Sequence, residues 1–452
     1  MSASAEKDLG KMLGDPKKAV LAMAIPLMVS YAVAQANGFA DASWCSGLGI
    51  EASSAVATIC PLYWILNGIG AGIGVGASAV VSARLGKNDR RSAQGAARSA
   101  VIASLLISLL CIPLMIVLLN PCISWLGADY IGEECRDYII PIVLLCPMNV
   151  LSGTLAGTMR GEGAAKKTMS MTAAGAVTNM VLDPILIYGL GMGLTGAGLA
   201  TAVSSGVSCV MCAYWYHNGS LVLRLESAGS FRKDSAEVLR AGAPRSAEFF
   251  LVYLMSMVQR VLIISGSDAT TVALYSMTWM YVSAACVISS AVGAALVPIC
   301  SAAFAVDDCK KADDAFRRSC WICFLSMSLM ALALFVLAED AVLPFTYSGS
   351  MTVLRSDFAA VLRIYCSFIP FIGLIDVCSA LLQALGKADV SLASSFARNV
   401  VIIVLLAATA EASRDYVFYS LAAAELIGVA LMAIPALAYM RRRKAMAFFR
   451  HC

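Results

Sequence analysis

Two carboxylates stand in strongly apolar parts of the sequence, where a charge is costly. Asp183 lies in the middle of one apolar stretch, and Asp41 lies near the end of the first one. A charged side chain at the centre of a bilayer costs ~2.5–3.5 kcal/mol on insertion scales, so an acid at that depth is a candidate for an ion or substrate pathway. Asn179 precedes Asp183 by four residues and shares its helix face. The pair can therefore contact one ion together.

The elements that must position these groups are membrane spans. The 452 residues are 60% hydrophobic and 14% charged, with a mean hydropathy of +0.80, well outside the range of soluble domains. Because one transmembrane helix needs ~20 apolar residues, we predict an all-α polytopic membrane protein with twelve spans. The predicted spans cover roughly residues 18–47, 53–83, 94–119, 137–159, 166–189, 194–216, 236–266, 270–304, 317–338, 358–385, 390–410 and 415–440.

Basic residues alternate along the chain and indicate the orientation of the spans. They cluster before the first span and after each even-numbered span, for example at Lys17, Lys87, Lys167, Lys233, Lys311, Lys387 and Arg442. The other loops carry acids with few bases. The positive-inside rule then predicts a multi-pass protein of the cell membrane with both termini in the cytoplasm.

The two halves of the sequence resemble each other at a separation near 220 residues. Residues 24–26 correspond to residues 242–244, and residues 160–163 correspond to residues 383–386. Six spans per half give both halves the same orientation, which predicts two six-helix bundles related by a pseudo-twofold axis along the membrane normal. We expect an N-terminal lobe at 1–220 that carries the cation site, a cytoplasmic linker at 221–235 and a C-terminal lobe at 236–452.

This duplication favours a transporter that works by alternating access. A passive channel is a weaker interpretation, because the sequence contains no recognisable selectivity-filter motif. No cluster typical of enzymatic metal chemistry is present, so we do not expect an enzyme. Small organic substrates and the lipid bilayer are the expected partners, with no nucleic acid and no cofactor, and we expect a monomer.

Helix geometry places four polar residues at a similar depth in the first lobe. Counting 1.5 Å per residue from the cytoplasmic ends puts Asp183 and Asp41 in the outer half of the membrane, and Thr201 lies ~10 Å below the outer end of the sixth span. With Asn179, they offer the oxygen ligands that suit Na⁺, or they can share a proton. The alternatives are a hydrogen-bonding role for Asp183 beside Pro184 and a solvated interfacial position for Asp41.

The second lobe lacks equivalent acids, since Asp41 aligns near Gln259 and Asp183 near Leu406. Its own intramembrane charges are Arg245, Glu248, Arg260 and Asp376. Arg245 and Glu248 are three residues apart and are expected to pair with each other or to face the substrate.

A substrate cleft between the lobes is the second expected site. We expect Asp376 and Glu248 to contact a cationic substrate there. Tyr31, Met255 and Met277 would give this cleft a deformable surface, although such side chains also serve ordinary packing.

Several segments resemble the multidrug and toxic compound extrusion (MATE) transporters over essentially the whole chain. The similarity is carried by Arg160-Gly161-Glu162-Gly163, by the stretch from Asn179 to Gly193, by Gly196 to Thr201 and by Ser82 to Lys87. Within this family the chain looks like the DinF-like branch. The resemblance implies that Asp41, Asn179, Asp183 and Thr201 form the cation site, and that H⁺ or Na⁺ antiport drives export of amphipathic, often cationic, compounds.

A flippase for lipid-linked precursors, from the same wider superfamily, is the nearest alternative. Such a flippase should carry a strongly cationic central cavity for a pyrophosphate lipid. In this sequence the intramembrane acids outweigh Arg245 and Arg260, so we favour the exporter.

Overall fold

The computed structural model describes residues 3–126, 128–226, 229–266, 269–343, 352–409 and 414–451, and these residues are almost entirely helical. Ten single helices are long and apolar enough to cross a bilayer, and two bent helix pairs bring the described spans to twelve. The spans are Pro16–Ser46, Ile50–Gly86, Arg90–Trp125, Asp129–Leu144 with Cys146–Gly161, Ala165–Gly189, Gly193–His217, Phe231–Gly266, Ala269–Ala305, Cys309–Val336, Arg355–Cys366 with Ile369–Ala384, Ala388–Thr409 and Arg414–His451, numbered 1 to 12 below. The predicted twelve-span fold class is confirmed.

Spans 4 and 10 are each broken into two helices, which the sequence analysis treated as continuous. The bends measure 56° in span 4 and 46° in span 10. In both, the second helix carries a proline in its first turn, Pro147 or Pro370. Proline has no backbone N–H to continue the preceding helix and its ring clashes with that helix, so both breaks have the same cause.

The turns at the ends of corresponding spans confirm the internal repeat. After spans 2 and 8, Asn88 and Asp307 adopt the left-handed conformation, with φ of 60° and 57°. The next residues, Asp89 and Asp308, cap the following helices by accepting a hydrogen bond from a backbone amide at 3.0 Å. A side-chain oxygen at this position satisfies an N–H group that the first turn of a helix leaves free. Both halves therefore turn in the same way at the same place.

Spans 4 and 10 end in the same manner. Gly163 and Gly386 have φ of 82° and 70°. Their amides donate to the carbonyls of Arg160 and Gln383, each at 3.0 Å. A left-handed residue after a helix is commonly glycine, because it carries no Cβ. Arg160 and Gln383 thus occupy equivalent positions in the two lobes.

Span 2 packs on spans 7 and 8, and span 1 packs on span 8, so these contacts join the lobes. Glycines let spans 2 and 7 approach closely. A Cβ atom built on Gly242 would lie 2.4 Å from the carbonyl oxygen of Gly72, and one on Gly76 would lie 2.2 Å from that of Val238. Small residues at such crossings are typical of helix packing in membranes.

Ion pairs reinforce this junction at the end of the bundle where the N-terminal helix Ala3–Met12 lies, which we call the basic end. The guanidinium of Arg84 on span 2 donates to Asp234 at 2.8 Å and to Glu237 at 2.5 Å, both on span 7. A Cβ on Gly86 would lie 2.6 Å from the carbonyl oxygen of Ala302 on span 8. The two lobes are therefore in contact at the basic end.

The connection between the lobes is shorter than the predicted linker, because span 7 already begins at Phe231. Part of it folds back on the first lobe around the buried Glu162. This carboxylate accepts hydrogen bonds from the amides of Val222 and Leu223, at 2.8 and 3.0 Å, and from the hydroxyl of Tyr216 at 3.0 Å. Burial raises the pKa of Glu162 to about 7, although these three hydrogen bonds lower it.

Replacing Glu162 should loosen the linker. In Glu162→Ala, two backbone amides and one hydroxyl lose their buried acceptor, and each unpaired donor costs ~1–3 kcal/mol. We expect the midpoint of thermal unfolding in detergent to fall by several degrees, measured by tryptophan fluorescence. Glu162→Gln keeps an acceptor oxygen and should lose less. Equal midpoints for Glu162→Ala and the unmodified protein would contradict this role.

Candidate functional site

Asp183 is fully buried and belongs to a chain of polar side chains that links spans 5 and 1. The amide nitrogen of Asn179 donates to Asp183 Oδ1 at 3.1 Å. The amide nitrogen of Asn37, on span 1, donates to Asn179 Oδ1 at 2.7 Å. Asn179 and Asp183 thus face one point, as their spacing predicts. Asn37 is a further member that was not predicted from the sequence, although it lies four residues before Asp41 on the same helix face.

Asp41 lies beside this chain and is partly buried. Its Oδ2 accepts a long hydrogen bond, 3.5 Å, from the hydroxyl of Tyr138 on span 4. Its charge also interacts with that of Asp183. The structure therefore brings both predicted carboxylates into one cluster, together with Tyr138, which the sequence analysis did not identify.

Three oxygen atoms of this cluster are buried without a hydrogen-bond partner among the described residues. They are Oδ1 of Asp41, Oδ2 of Asp183 and Oδ1 of Asn37. A carboxylate or amide oxygen can only accept a hydrogen bond or bind a cation, and an unsatisfied buried polar atom is costly. The donor set, all oxygen, fits a proton on a carboxylate or a hard cation such as Na⁺.

Thr201 is buried on span 6, next to span 5, as the short connection between these spans predicts. Its hydroxyl donates to the carbonyl of Ala197 at 3.1 Å. Among the hydrogen bonds of the described residues, none joins it to Asp41 or Asp183. Threonine in a helix often bonds back to the preceding turn, which leaves its oxygen lone pairs free to accept. Its place in the cation site stays a prediction.

A distorted turn fixes the ends of spans 5 and 1 to each other. After Pro184, residues Ile185–Gly189 form a π-helical turn, a distortion that is frequent at functional sites. The hydroxyl of Tyr188 within it donates to the backbone carbonyl of Trp44 at 2.6 Å. Because this contact joins the spans that carry the two acids, it holds the carboxylates in register.

A central cavity of about 570 Å³ lies between the lobes and is lined by spans 1, 2, 4, 7, 8 and 10. Its wall includes the aromatic side chains of Tyr31, Trp64, Phe249 and Tyr253. The rings of Trp64 and Tyr253 are stacked, with centroids 5.8 Å apart. A cavity of this size with aromatic walls has the dimensions of a site for a small organic molecule.

Three charged side chains line this cavity: Arg160, Arg245 and Asp376. Arg245 donates to Glu248 at 2.7 Å, as the three-residue spacing allows, and its guanidinium lies 4.6 Å from the centroid of the Phe249 ring. Asp376 accepts hydrogen bonds from the hydroxyls of Ser289 and Ser290 at 2.7 and 3.2 Å.

Only part of the predicted substrate cleft lies on this cavity. Tyr31 and Asp376 are in its wall, whereas Glu248, Met255 and Met277 are not. Residues 245, 249 and 253 share one face of span 7 at four-residue intervals, and Glu248 and Met255 lie off that face. Glu248 also accepts from the hydroxyl of Ser395, and Met277 packs against the hydrophobic core. The side chain of Arg260 lies outside the described part.

Arg160 and Trp64 also line the cavity, which was not predicted from the sequence. Arg160 was noted only as part of a repeated motif. No spacing rule in the sequence predicts a role for Arg160 in the cavity, because the side chains around it come from distant helices.

A comparison with protein families and curated proteins gives consistent matches. The family model MatE matches residues 26–185 and 244–409. An FAD transporter of Shewanella oneidensis is 22% identical over 415 residues, covering 89% of this chain and 90% of that protein. The multidrug export protein MepA of Staphylococcus aureus is 23% identical over 251 residues, which is 54% of each chain.

Solved structures have the same fold across the whole chain. The crystal structure of MATE in complex with MaL6 is 25% identical, with a TM-score of 0.92, and the match covers 97% of this chain and 99% of that one. A MOP superfamily transporter from Pyrococcus furiosus, described as having a binding pocket of reverse polarity, is 25% identical with a TM-score of 0.91. That match covers 98% of both chains.

Proposed function

The chain belongs to the MatE family of membrane transporters, and from this premise we propose that it is a secondary active exporter driven by H⁺ or Na⁺. It is a transporter and not an enzyme. In this proposal the cation binds among Asp41, Asn179, Asp183 and Thr201, and the organic substrate binds in the central cavity. We further propose that the basic end faces the cytoplasm of a cell membrane.

The buried oxygens of Asp41, Asp183 and Asn37 carry the coupling part of the proposal. Without a bound positive charge, the carboxylates of Asp41 and Asp183 lie close together in an apolar surrounding, which is unfavourable. A proton or a Na⁺ ion removes this repulsion. Cation binding therefore changes the charge inside the first lobe, and it favours whichever arrangement of the lobes binds the cation more tightly.

The central cavity supports the transport part. Both lobes contribute to its wall, so a change in their relative position alters access to it. The lobes are in contact at the basic end through the ion pairs of Arg84 and the close approach of Gly86 to Ala302, and spans 2 and 7 also pack closely at Gly72 and Gly242. We propose that this arrangement exposes the cavity to the outside, and that separation at the basic end admits substrate from the cytoplasm.

Transport into proteoliposomes under separately imposed gradients tests the proposal. Ethidium, riboflavin and flavin mononucleotide serve as fluorescent probes, with a pH gradient or a Na⁺ gradient as the sole driving force. We expect at least one probe to accumulate under one gradient and to stop accumulating when that gradient is collapsed. Flux that equilibrates without any gradient would indicate a passive channel. Movement of a lipid-linked pyrophosphate precursor in place of all three probes would indicate a flippase.

The coupling ion can be identified on the purified protein. Trp44 lies three residues after Asp41, and its ring contacts Tyr188 edge-on at 6.1 Å. We expect its fluorescence to change on addition of Na⁺ but not K⁺ if Na⁺ is coupled, or with pH alone if H⁺ is coupled. The Trp44→Phe variant, which keeps the other five tryptophans, isolates this signal.

A further inference from the structure

We propose that Arg160 is an anion-binding residue at the floor of the central cavity, and that the substrate joins a flat aromatic ring system to a phosphate or carboxylate. This inference rests on the proposed export function and specifies its substrate class. It reverses the expectation of cationic substrates.

Arg160 is buried, with 8% of its surface exposed, and it lines the cavity. Among the described residues its guanidinium has no hydrogen bond and no ion pair. A buried guanidinium normally pairs with a carboxylate or binds an anion, because an unpaired buried charge is strongly unfavourable. Its fork of donors matches the two oxygens of a phosphate or carboxylate. Arg160 is therefore poised for an anionic group that the protein itself does not supply.

The internal repeat shows that the fold does not require a charge at this position. Gln383 is the equivalent residue of the second lobe, after the same left-handed turn, and it also lines the cavity. Its side chain is neutral and donates to Ser379 at 3.0 Å. One lobe thus fills the position with a hydrogen-bonded neutral amide and the other with a guanidinium that has no partner among the described residues. Packing alone does not explain the difference.

The other charges of the cavity already have partners. Arg245 is held by Glu248 and also interacts with the charge of Asp376, which is bonded to two serine hydroxyls. Asp376 precedes Gln383 by seven residues, so it lies ~10 Å above the floor. The cavity is therefore polarised, with its uncompensated positive charge at the floor and the carboxylate of Asp376 higher up.

The stacked rings of Trp64 and Tyr253 indicate the other part of the substrate, a flat aromatic ring system. Gly161, next to Arg160, packs against Ser78 of span 2, so the floor lies near the level of that residue. Trp64 is fourteen residues, or ~20 Å, above Ser78 on the same helix. A ring stacked on Trp64 or Tyr253 and an anion bound by the long arm of Arg160 belong to one elongated molecule. Stacking of a flat ring on such residues contributes ~1–3 kcal/mol.

Flavins provide matched probes because they are fluorescent and share one ring. Riboflavin is neutral, flavin mononucleotide carries a phosphate at the end of its five-carbon chain, and 10-(5-carboxypentyl)flavin carries a carboxylate at the end of a chain of matching length. Equilibrium binding to the purified protein, followed by fluorescence quenching, should show both anions bound at least ~10-fold more tightly than riboflavin, as expected for a charge-assisted bidentate contact. The stronger of the two anions identifies the group that the site prefers. Ethidium binding more tightly than both would overturn the inference.

Arg160→Gln copies the residue that the chain uses at the equivalent position, so it should fold. We expect it to abolish the preference for the anions and to leave riboflavin binding within twofold. Arg160→Lys keeps the positive charge but not the forked donors of the guanidinium, so it should retain part of the preference for the anions over riboflavin. Gln383→Arg should tighten binding of flavin mononucleotide, and the exposed Arg318→Gln should change nothing. Equal losses for all probes in Arg160→Gln would mean a structural role and would overturn the proposal.

Binding and transport separate this inference from the proposed function. If flavin mononucleotide binds through Arg160 but no probe moves under any gradient, the exporter proposal fails and the anion site stands. If ethidium is exported and the anions neither bind nor move, the exporter proposal stands and the anion site fails.

Discussion

Asp183→Asn is expected to slow gradient-driven transport strongly while the protein still folds. Asparagine keeps the size of the side chain and can still accept the hydrogen bond from Asn179. It removes the negative charge that we propose binds the cation, and the loss of a charged partner weakens such a contact by ~10–100-fold. The initial rate of probe accumulation under the coupling gradient should therefore fall by about the same factor.

The stability of the same variant gives an independent readout. Because Asp183 is fully buried, a neutral amide removes the cost of burying a charge. We expect the midpoint of thermal unfolding to be unchanged or higher, and to lose its dependence on Na⁺ or pH. Asp137→Asn, which changes an exposed acid of the same lobe, is the control. Transport at the unmodified rate in Asp183→Asn would refute the proposed role of this acid.

Gly242→Val is expected to prevent spans 2 and 7, and therefore the two lobes, from packing closely. The Cβ atom alone would lie 2.4 Å from the carbonyl oxygen of Gly72 and 3.2 Å from Cα of Ile73, so spans 2 and 7 must separate. Overpacking of a tight contact costs ~1–3 kcal/mol or more, which shifts an equilibrium between two arrangements by ~5–150-fold. Since a transport cycle needs both arrangements, we expect transport to fall at least tenfold.

Hydrogen exchange measured by mass spectrometry would locate the change. Peptides covering residues 70–86 and 231–245 should exchange faster in Gly242→Val, because the contact between their spans and the ion pairs of Arg84 are lost. Gly38→Val is the control, since a Cβ at Gly38 meets nothing within 4 Å. Unchanged exchange together with normal transport would show that spans 2 and 7 accommodate the side chain without separating.

Much of this architecture followed from local sequence properties. Hydropathy predicted twelve spans and their order, because each span must satisfy its own backbone hydrogen bonds within a fixed thickness of lipid. The four-residue spacing of Asn179 and Asp183 predicted a shared face, and the structure joins them by a hydrogen bond. The breaks before Pro147 and Pro370 were missed, since many prolines in spans are tolerated without a break.

The composition of the two sites depended on contacts between distant segments. Asn37 contacts Asn179 across 142 positions, and Tyr138 contacts Asp41 across 97. The rotation of span 7 decided that Arg245 and Phe249 face the cavity while Glu248 turns to Ser395. Such rotations are set by packing against neighbouring helices, which periodicity alone does not specify for a helix that is apolar on all sides.

The sequence by itself determined that this chain is a duplicated, twelve-span membrane protein with two costly acids in its first half, because burial of charge and span length are local properties. The tertiary structure decided which oxygens surround those acids, and it left the guanidinium of Arg160 without a partner among the described residues, while its counterpart Gln383 donates a hydrogen bond to Ser379. Whether a charge is paired depends on which side chains the fold brings within ~4 Å of it, and those side chains come from helices far apart in the sequence.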